Sequence, residues 1–92
     1  MQNLKTSSLL AFLREAFRDA LQSIHYAGIF CGGIRPPNLI VDPEGKVFII
    51  DFDLAINFRQ EYMPDRWNRL ALELRAMNDI LEETYWYQDI YY

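Results

Sequence analysis

Cysteine is almost absent from this sequence of 92 residues, since Cys31 is the only one. A single cysteine excludes a disulfide bond within the chain and favours a reducing compartment. Long apolar runs are absent as well, because no stretch approaches the roughly 18 residues of a transmembrane helix. The N-terminus also lacks the charged and apolar regions of a signal peptide. These absences predict a cytoplasmic protein with no membrane partner.

Positive charge is scarce too. Nine Lys and Arg residues stand against 13 Asp and Glu residues, which gives a formal net charge of −4. A nucleic-acid partner would require a basic patch, so this balance argues against one. Residues 1–60 carry six basic and six acidic side chains, whereas residues 61–92 carry three and seven. The acidic excess therefore lies in the last third of the chain.

Hydrophobic residues, by contrast, are abundant. They make up 51% of the chain, and aromatic residues make up 15%, a composition that argues against intrinsic disorder. A chain of this length forms one small domain, which we place at residues 1–92. Such a domain buries only about 60–65% of its unfolded surface, so we expect modest stability.

A first helix is predicted at residues 8–27. Thr6, Ser7 or Ser8 can cap its N-terminus, and Gly28 is a plausible residue to end it. Between them, apolar residues recur at spacings of three and four and predict one buried helix face. These residues are Leu10, Leu13, Phe17, Leu21 and Ile24.

A β-hairpin is predicted next. Residues 39–41 and 47–50 are short apolar runs, and Asp42-Pro43-Glu44-Gly45 between them has the composition of a tight turn. The glycines and prolines of residues 31–37 predict a loop before the first strand.

A second helix is predicted at residues 65–84, after a loop at 57–64. Pro64 marks its start and Asp65 is a candidate cap. Its apolar residues again recur at three and four, and we expect them to face the core; they are Trp67, Leu70, Leu74, Met77 and Leu81. The aromatic tail, residues 85–92, is compatible with helix or extended chain. The predicted fold class is α+β, with a long helix, a hairpin and a second amphipathic helix.

The hairpin is flanked by a familiar set of residues. Asn38 lies 13 residues before Asp51, which opens the triplet Asp51-Phe52-Asp53, and the loop Cys31–Asn38 precedes the first strand. This arrangement, over residues 8–58, resembles the protein-kinase-like superfamily, in particular kinase-like families common in fungi. The resemblance implies a truncated core fragment of the kinase large lobe.

The resemblance implies roles for individual residues. Asn38 and Asp51 fall at the positions of the Mg²⁺ ligands, and Arg35 falls where the family often carries a cation that contacts phosphate. Gly33, however, stands where the family carries its catalytic Asp, and Cys31 stands in place of the motif's His. No Gly-rich loop or strand lysine precedes the first helix, so the resemblance implies a fragment without the nucleotide-covering lobe.

Each candidate also has a structural interpretation. Asp51 would cap a turn at the end of a strand, Asn38 would order the loop through a side-chain hydrogen bond, and Arg35 would lie on the surface. Cys31 with His25 would suggest a nucleophile and its base, but a partly buried, inert thiol is the stronger interpretation.

The resulting prediction is a catalytically inactive kinase-like fragment that acts through protein–protein contacts. Two helices and one hairpin cannot readily bury both apolar stripes and the tail, so we expect a protein partner or a homo-oligomer. One alternative is a weak phosphotransferase that is active only as an oligomer or with a partner. Another is a non-catalytic module that binds nucleotide or metal, and here we expect only weak, millimolar Mg²⁺ binding.

Overall fold

The computed structural model describes residues 2–82, with side chains from Leu9 onward, and its fold is α+β as predicted. Helix α1 (Gln2–Tyr26) is followed by strand β1 (Ile29–Phe30), a 3₁₀ turn (Pro36–Asn38), strands β2 (Leu39–Val41), β3 (Val47–Ile49) and β4 (Ile56–Asn57), and helix α2 (Arg66–Glu82). The aromatic tail and residues 83–84 of the predicted second helix lie outside the described residues.

Helix α1 begins at Gln2, which corrects the predicted start at residue 8. Thr6, Ser7 and Ser8 are part of the helix and do not cap it, because the residues before them include good helix formers and extend it. The predicted end is confirmed. Gly28 has a φ of 90°, and its N–H donates to the carbonyl of His25 at 2.9 Å, so glycine closes the helix in a left-handed conformation.

The predicted hairpin is confirmed. Strands β2 and β3 are antiparallel, with Leu39 opposite Ile49 and Ile40 opposite Phe48. The carboxylate of Asp42 accepts hydrogen bonds from two backbone N–H groups of the turn, as an Asp at the first turn position does. Strand β3 ends at Ile49, one residue earlier than predicted.

Strands β1 and β4 were not predicted, since two-residue strands are too short to show periodicity. They pair antiparallel, with Ile29 opposite Asn57 and Phe30 opposite Ile56. The N–H of Phe58 adds a bond to the carbonyl of Gly28 at 2.9 Å. This small sheet brings the end of α1 beside the segment that leads to α2.

One core joins α1, the inner face of the hairpin and the second half of α2. Its fully or nearly buried members are Leu13, Phe17, Leu21, Cys31, Leu39, Val41, Ile49, Met77 and Leu81. The α1 stripe is confirmed, because its three central members are buried and Leu10 and Ile24 pack against them.

The prediction that the α2 stripe faces the core is only half correct. Met77 and Leu81 are buried, but Trp67 is 72% exposed and Leu74 is 41% exposed. The first half of α2 instead turns Glu73 toward the rest of the molecule, and Glu73 bonds to the end of α1 and to the loop after β1.

Candidate functional site

The predicted site residues converge around Gly33. A Cβ atom placed on Gly33 would lie 3.2 Å from the Asn38 side-chain nitrogen Nδ2 and 3.9 Å from the carbonyl oxygen of Asp51. It would lie 4.0 Å from a guanidinium nitrogen of Arg35. The 3₁₀ turn and the hairpin therefore bring together the four positions that the sequence singles out, with Gly33 at their centre.

Asn38 is a buried polar residue in this group, and it orders the loop. Its Nδ2 donates to the carbonyl of Gly33 at 2.8 Å. Its backbone N–H donates to the carbonyl of Arg35 at 2.9 Å, and its carbonyl accepts from the N–H of Ile50 at 2.8 Å. These contacts agree with the loop-ordering interpretation of Asn38, and they use the amide nitrogen rather than the oxygen that would bind a cation.

Asp51 lies at the same end of the hairpin as Asn38, one residue beyond the Ile50–Asn38 bond. Its φ of 68° is unusual for a residue other than glycine, although Asp tolerates this region better than most side chains. Its Oδ1 lies 3.5 Å from the N–H of Asp53, which agrees with the turn-capping interpretation. The carboxylate is exposed to solvent.

The metal role of Asn38 and Asp51 stays a prediction. Within the part of the chain that the structure describes, no three His, Cys, Asp or Glu side chains come together as a group that would hold a metal ion. Two protein ligands without phosphate oxygens make a poor Mg²⁺ site. Arg35 is exposed, with the extended backbone that a following proline imposes, and its phosphate role also stays a prediction.

Glu73 is the residue that the sequence analysis missed. One of its carboxylate oxygens lies 2.8 Å from Nε2 of His25 and accepts from the N–H of Cys31 at 3.0 Å. The other accepts from the N–H of Gly32 at 2.7 Å. A single side chain of α2 thus holds both the end of α1 and the start of the candidate loop.

The electrostatics of Glu73 follow from these bonds. Burial alone would raise the pKa of Glu73, but hydrogen bonds from His25 and from the Gly32 and Cys31 N–H groups outweigh burial and lower the pKa. One signal in the sequence points to this residue: Glu73 lies three residues after Leu70 and four before Met77. It therefore falls on the helix face that periodicity assigns to apolar residues.

Cys31 lies in surroundings unlike those of a nucleophilic cysteine. Its thiol is buried, and burial together with the negative charge of Glu73 raises its pKa to about 12. The Nε2 atom of His25 is bonded to Glu73 and is therefore not held against the thiol. The inert-thiol interpretation fits both observations, since nucleophilic cysteines require a lowered pKa.

Comparison of the chain with known protein families, curated proteins and solved structures gave no significant match. Among the described residues, no helix has the length and apolar character needed to cross a membrane.

Proposed function

We propose that this chain is a catalytically inactive, kinase-like module that acts through protein–protein contacts. The observation that carries the proposal is the position of Gly33. It lies where Arg35, Asn38 and Asp51 converge, and it has no side chain that could orient or deprotonate an incoming hydroxyl.

A missing base has a large effect on phosphoryl transfer. General-base assistance is typically worth about 10²–10⁴-fold in rate, and the reaction otherwise depends on positioning and on metal-held phosphates. Glu73 is a partly buried carboxylate that contacts the loop, but three hydrogen bonds already occupy its oxygens. Asp51 is held in a turn at the surface. Neither is placed to replace a carboxylate at position 33.

Exposed apolar side chains support the second half of the proposal. Phe48 of the hairpin is 47% exposed, and Trp67 and Leu72 of α2 are more exposed still. Neighbouring exposed apolar side chains, such as Ile40 and Phe48 across the hairpin, are characteristic of protein-binding sites. These side chains remain uncovered because the hairpin and α2 both pack on α1 with their inner sides. Within the described residues, no further element covers their outer sides.

The two alternative functions, a weak phosphotransferase and a binding module, rest on the proximity of the candidate site residues. Asn38 and Asp51 share one end of the hairpin and Arg35 lies beside them, which is compatible with weak binding of a phosphate or a divalent cation. A weak phosphotransferase would need this site to be completed by an oligomeric or foreign partner.

Transfer of radiolabelled phosphate from ATP tests the proposal. The assay uses the full chain with Mg²⁺ or Mn²⁺ and with generic protein and small-molecule acceptors. We expect no transfer above background, and no difference between the wild type and Asp51→Ala. Turnover that disappears in Asp51→Ala but persists in Asp53→Ala, a neighbouring carboxylate outside the convergent group, would contradict the proposal and favour the phosphotransferase.

A further inference from the structure

A concave pocket lies between helix α2 and the small sheet of β1 and β4. Its volume is about 290 Å³, which is near the lower end of the range for small-molecule sites. The residues that line it are Phe30, Gly32, Ile56, Arg69, Leu72 and Glu73. The candidate residues Arg35, Asn38 and Asp51 lie outside this set, so the pocket is separate from the group around Gly33.

Three apolar side chains form one part of the pocket. Phe30 and Ile56 are cross-strand partners, so their side chains lie on the same side of the small sheet. Phe30 is buried and Ile56 is partly buried, whereas Leu72 of α2 is 58% exposed. An apolar group bound here would remove part of Leu72 and Ile56 from water, which is favourable in proportion to the apolar area covered.

Two opposite charges also line the pocket. Arg69 and Glu73 are four residues apart on α2, a spacing at which oppositely charged side chains commonly pair on a helix surface. Glu73 is instead paired with His25 at 2.8 Å. Arg69 lies 3.9 Å from Asp65, and no ion pair joins it to Glu73 in the described residues. The pocket therefore contains a guanidinium and a carboxylate that are not bonded to each other.

Arg69 has hydrogen-bond donors available for a ligand. Its nitrogen–oxygen distance of 3.9 Å to Asp65 is too long for a hydrogen bond, and an exposed ion pair of this kind contributes little. The Arg69 guanidinium lies 6.0 Å from the centre of the Phe30 ring, which places it against the apolar part of the pocket. A carboxylate bound there can accept two parallel N–H bonds from the guanidinium.

Glu73 retains capacity to accept one more hydrogen bond. A carboxylate offers about four lone-pair positions. Its Oε1 contacts both Nε2 of His25 and the N–H of Cys31. Within the part of the chain that the structure describes, Oε2 accepts only from the N–H of Gly32. A ligand ammonium group beside Oε2 would gain a charged acceptor, whereas a ligand that carries only negative charge would be repelled by Glu73.

We propose that this pocket binds a free α-amino acid with an apolar side chain. The ligand side chain contacts Phe30, Ile56 and Leu72, its carboxylate accepts from Arg69, and its ammonium group donates to Glu73. An anion alone would meet the Glu73 charge and a cation alone would meet the Arg69 charge. A zwitterion satisfies both. The proposal goes beyond the inactive kinase-like module and does not depend on it.

Titration of the isotope-labelled full chain with L-phenylalanine, followed by NMR, tests the proposal. We expect a Kd of about 1 mM, because a ligand of this size in an open pocket gains only a modest free energy per atom. The backbone amide signals of Gly32, Ile56 and Leu72 should shift. Three matched ligands each lack one feature: phenylpropanoate lacks the ammonium group, phenethylamine lacks the carboxylate and glycine lacks the apolar side chain. Each should bind about tenfold more weakly.

Variants at exposed residues identify the contacts without disturbing the core. Arg69→Gln should weaken phenylalanine binding by about tenfold, as the loss of a charged hydrogen-bond donor does. It should leave the binding of phenethylamine unchanged, because that ligand has no carboxylate. Leu72→Ala should weaken phenylalanine binding by about threefold. Arg75→Gln, at an exposed arginine of the same helix outside the pocket, should bind like the wild type. Circular dichroism establishes that each variant is folded.

Three results would overturn the proposal. One is the absence of shifts in the pocket amides at about 20 mM phenylalanine, a concentration that would nearly saturate a site of the expected affinity. Another is equal binding of phenylalanine and phenylpropanoate, which would show that the ammonium group is not recognised. The third is equal affinity of the wild type and Arg69→Gln for phenylalanine. None of these results bears on the inactive kinase-like module, which is tested by phosphate transfer from ATP.

Discussion

At the scale of single residues, Glu73 connects parts of the chain that are far apart in sequence. Its carboxylate accepts from His25, from Cys31 and from Gly32 across more than 40 positions of sequence. A partly buried carboxylate with three donors is well compensated, but its removal leaves donors without acceptors. Glu73 therefore determines how the loop after β1 is oriented.

Glu73→Gln tests this role. We expect it to lower the free energy of unfolding by about 1–3 kcal/mol, because the uncharged amide keeps one acceptor oxygen and brings two donors of its own toward existing donors. Urea denaturation measures the change. Glu82→Gln, at an exposed carboxylate near the end of the same helix, should change the stability by less than about 0.5 kcal/mol. Equal effects of the two substitutions would contradict the role.

The pH dependence of stability gives a second readout of the same residue. The pKa of Glu73 is lower in the folded chain than its ordinary value of 4.5. Its contribution is therefore complete above about pH 4.5 and is lost as the pH falls through the folded pKa. The free energies of unfolding of the wild type and Glu73→Gln should differ most near neutral pH. Below pH 4.5 the two values, measured by urea denaturation, should approach each other.

Gly33 allows a different kind of test, which adds a group rather than removing one. Gly33→Asp places a carboxylate beside Asn38 and Asp51, and its backbone does not require positive φ. We expect Mn²⁺ affinity to rise by about tenfold, because a second carboxylate joins the site. Titration calorimetry measures the affinity, and Gly33→Asn supplies a matched uncharged control. No gain in Gly33→Asp over Gly33→Asn would mean that Asn38 and Asp51 do not form a cation site.

At the scale of elements, local signals were sufficient for the hairpin and insufficient for α2. The turn at residues 42–45 is determined by its own residues, since the Asp42 carboxylate accepts a hydrogen bond from the turn backbone and Gly45 adopts a φ of 87°. The period of α2 predicted the helix and its inward side correctly, but not that the core covers only the second half of that side. In the first half Glu73 contacts residues that precede it by more than 40 positions, and periodicity does not encode such contacts.

Two leucines of α2 test how far along the helix the core extends. Leu81 is fully buried and Leu74 is 41% exposed, and they differ by two helical turns. Leu81→Ala should lower the free energy of unfolding by about 2–5 kcal/mol, as loss of a buried leucine does. Leu74→Ala, the same substitution two turns earlier on the same side of the helix, should cost less than about 1 kcal/mol because that side chain is partly exposed. Similar losses in urea denaturation would restore the original expectation that the whole stripe faces the core.

At the scale of the whole molecule, α1 is the shared support, because the hairpin and α2 both pack on its buried face. The sequence predicted this arrangement in outline, as an α+β fold with a buried stripe on α1. The position of Asn38 and Asp51 at one end of the hairpin also follows from the sequence, because spacing along a hairpin is a local property. It did not predict β1 and β4, whose pairing joins residues nearly 30 positions apart.

The pairing of β1 with β4 affects how the chain tolerates change. Residues 31–55, which contain the candidate loop and the hairpin, leave and return at adjacent points, since Phe30 lies opposite Ile56. The entropy of bringing these ends together rises only slowly with the length between them, by roughly 0.6 kcal/mol for each doubling. Insertions at the exposed turn around Glu44 would therefore alter the outer surface while the packing of α1 with α2 stays the same. The fold thus allows change at the tip of the hairpin, while Leu39, Val41 and Ile49 stay packed in the core.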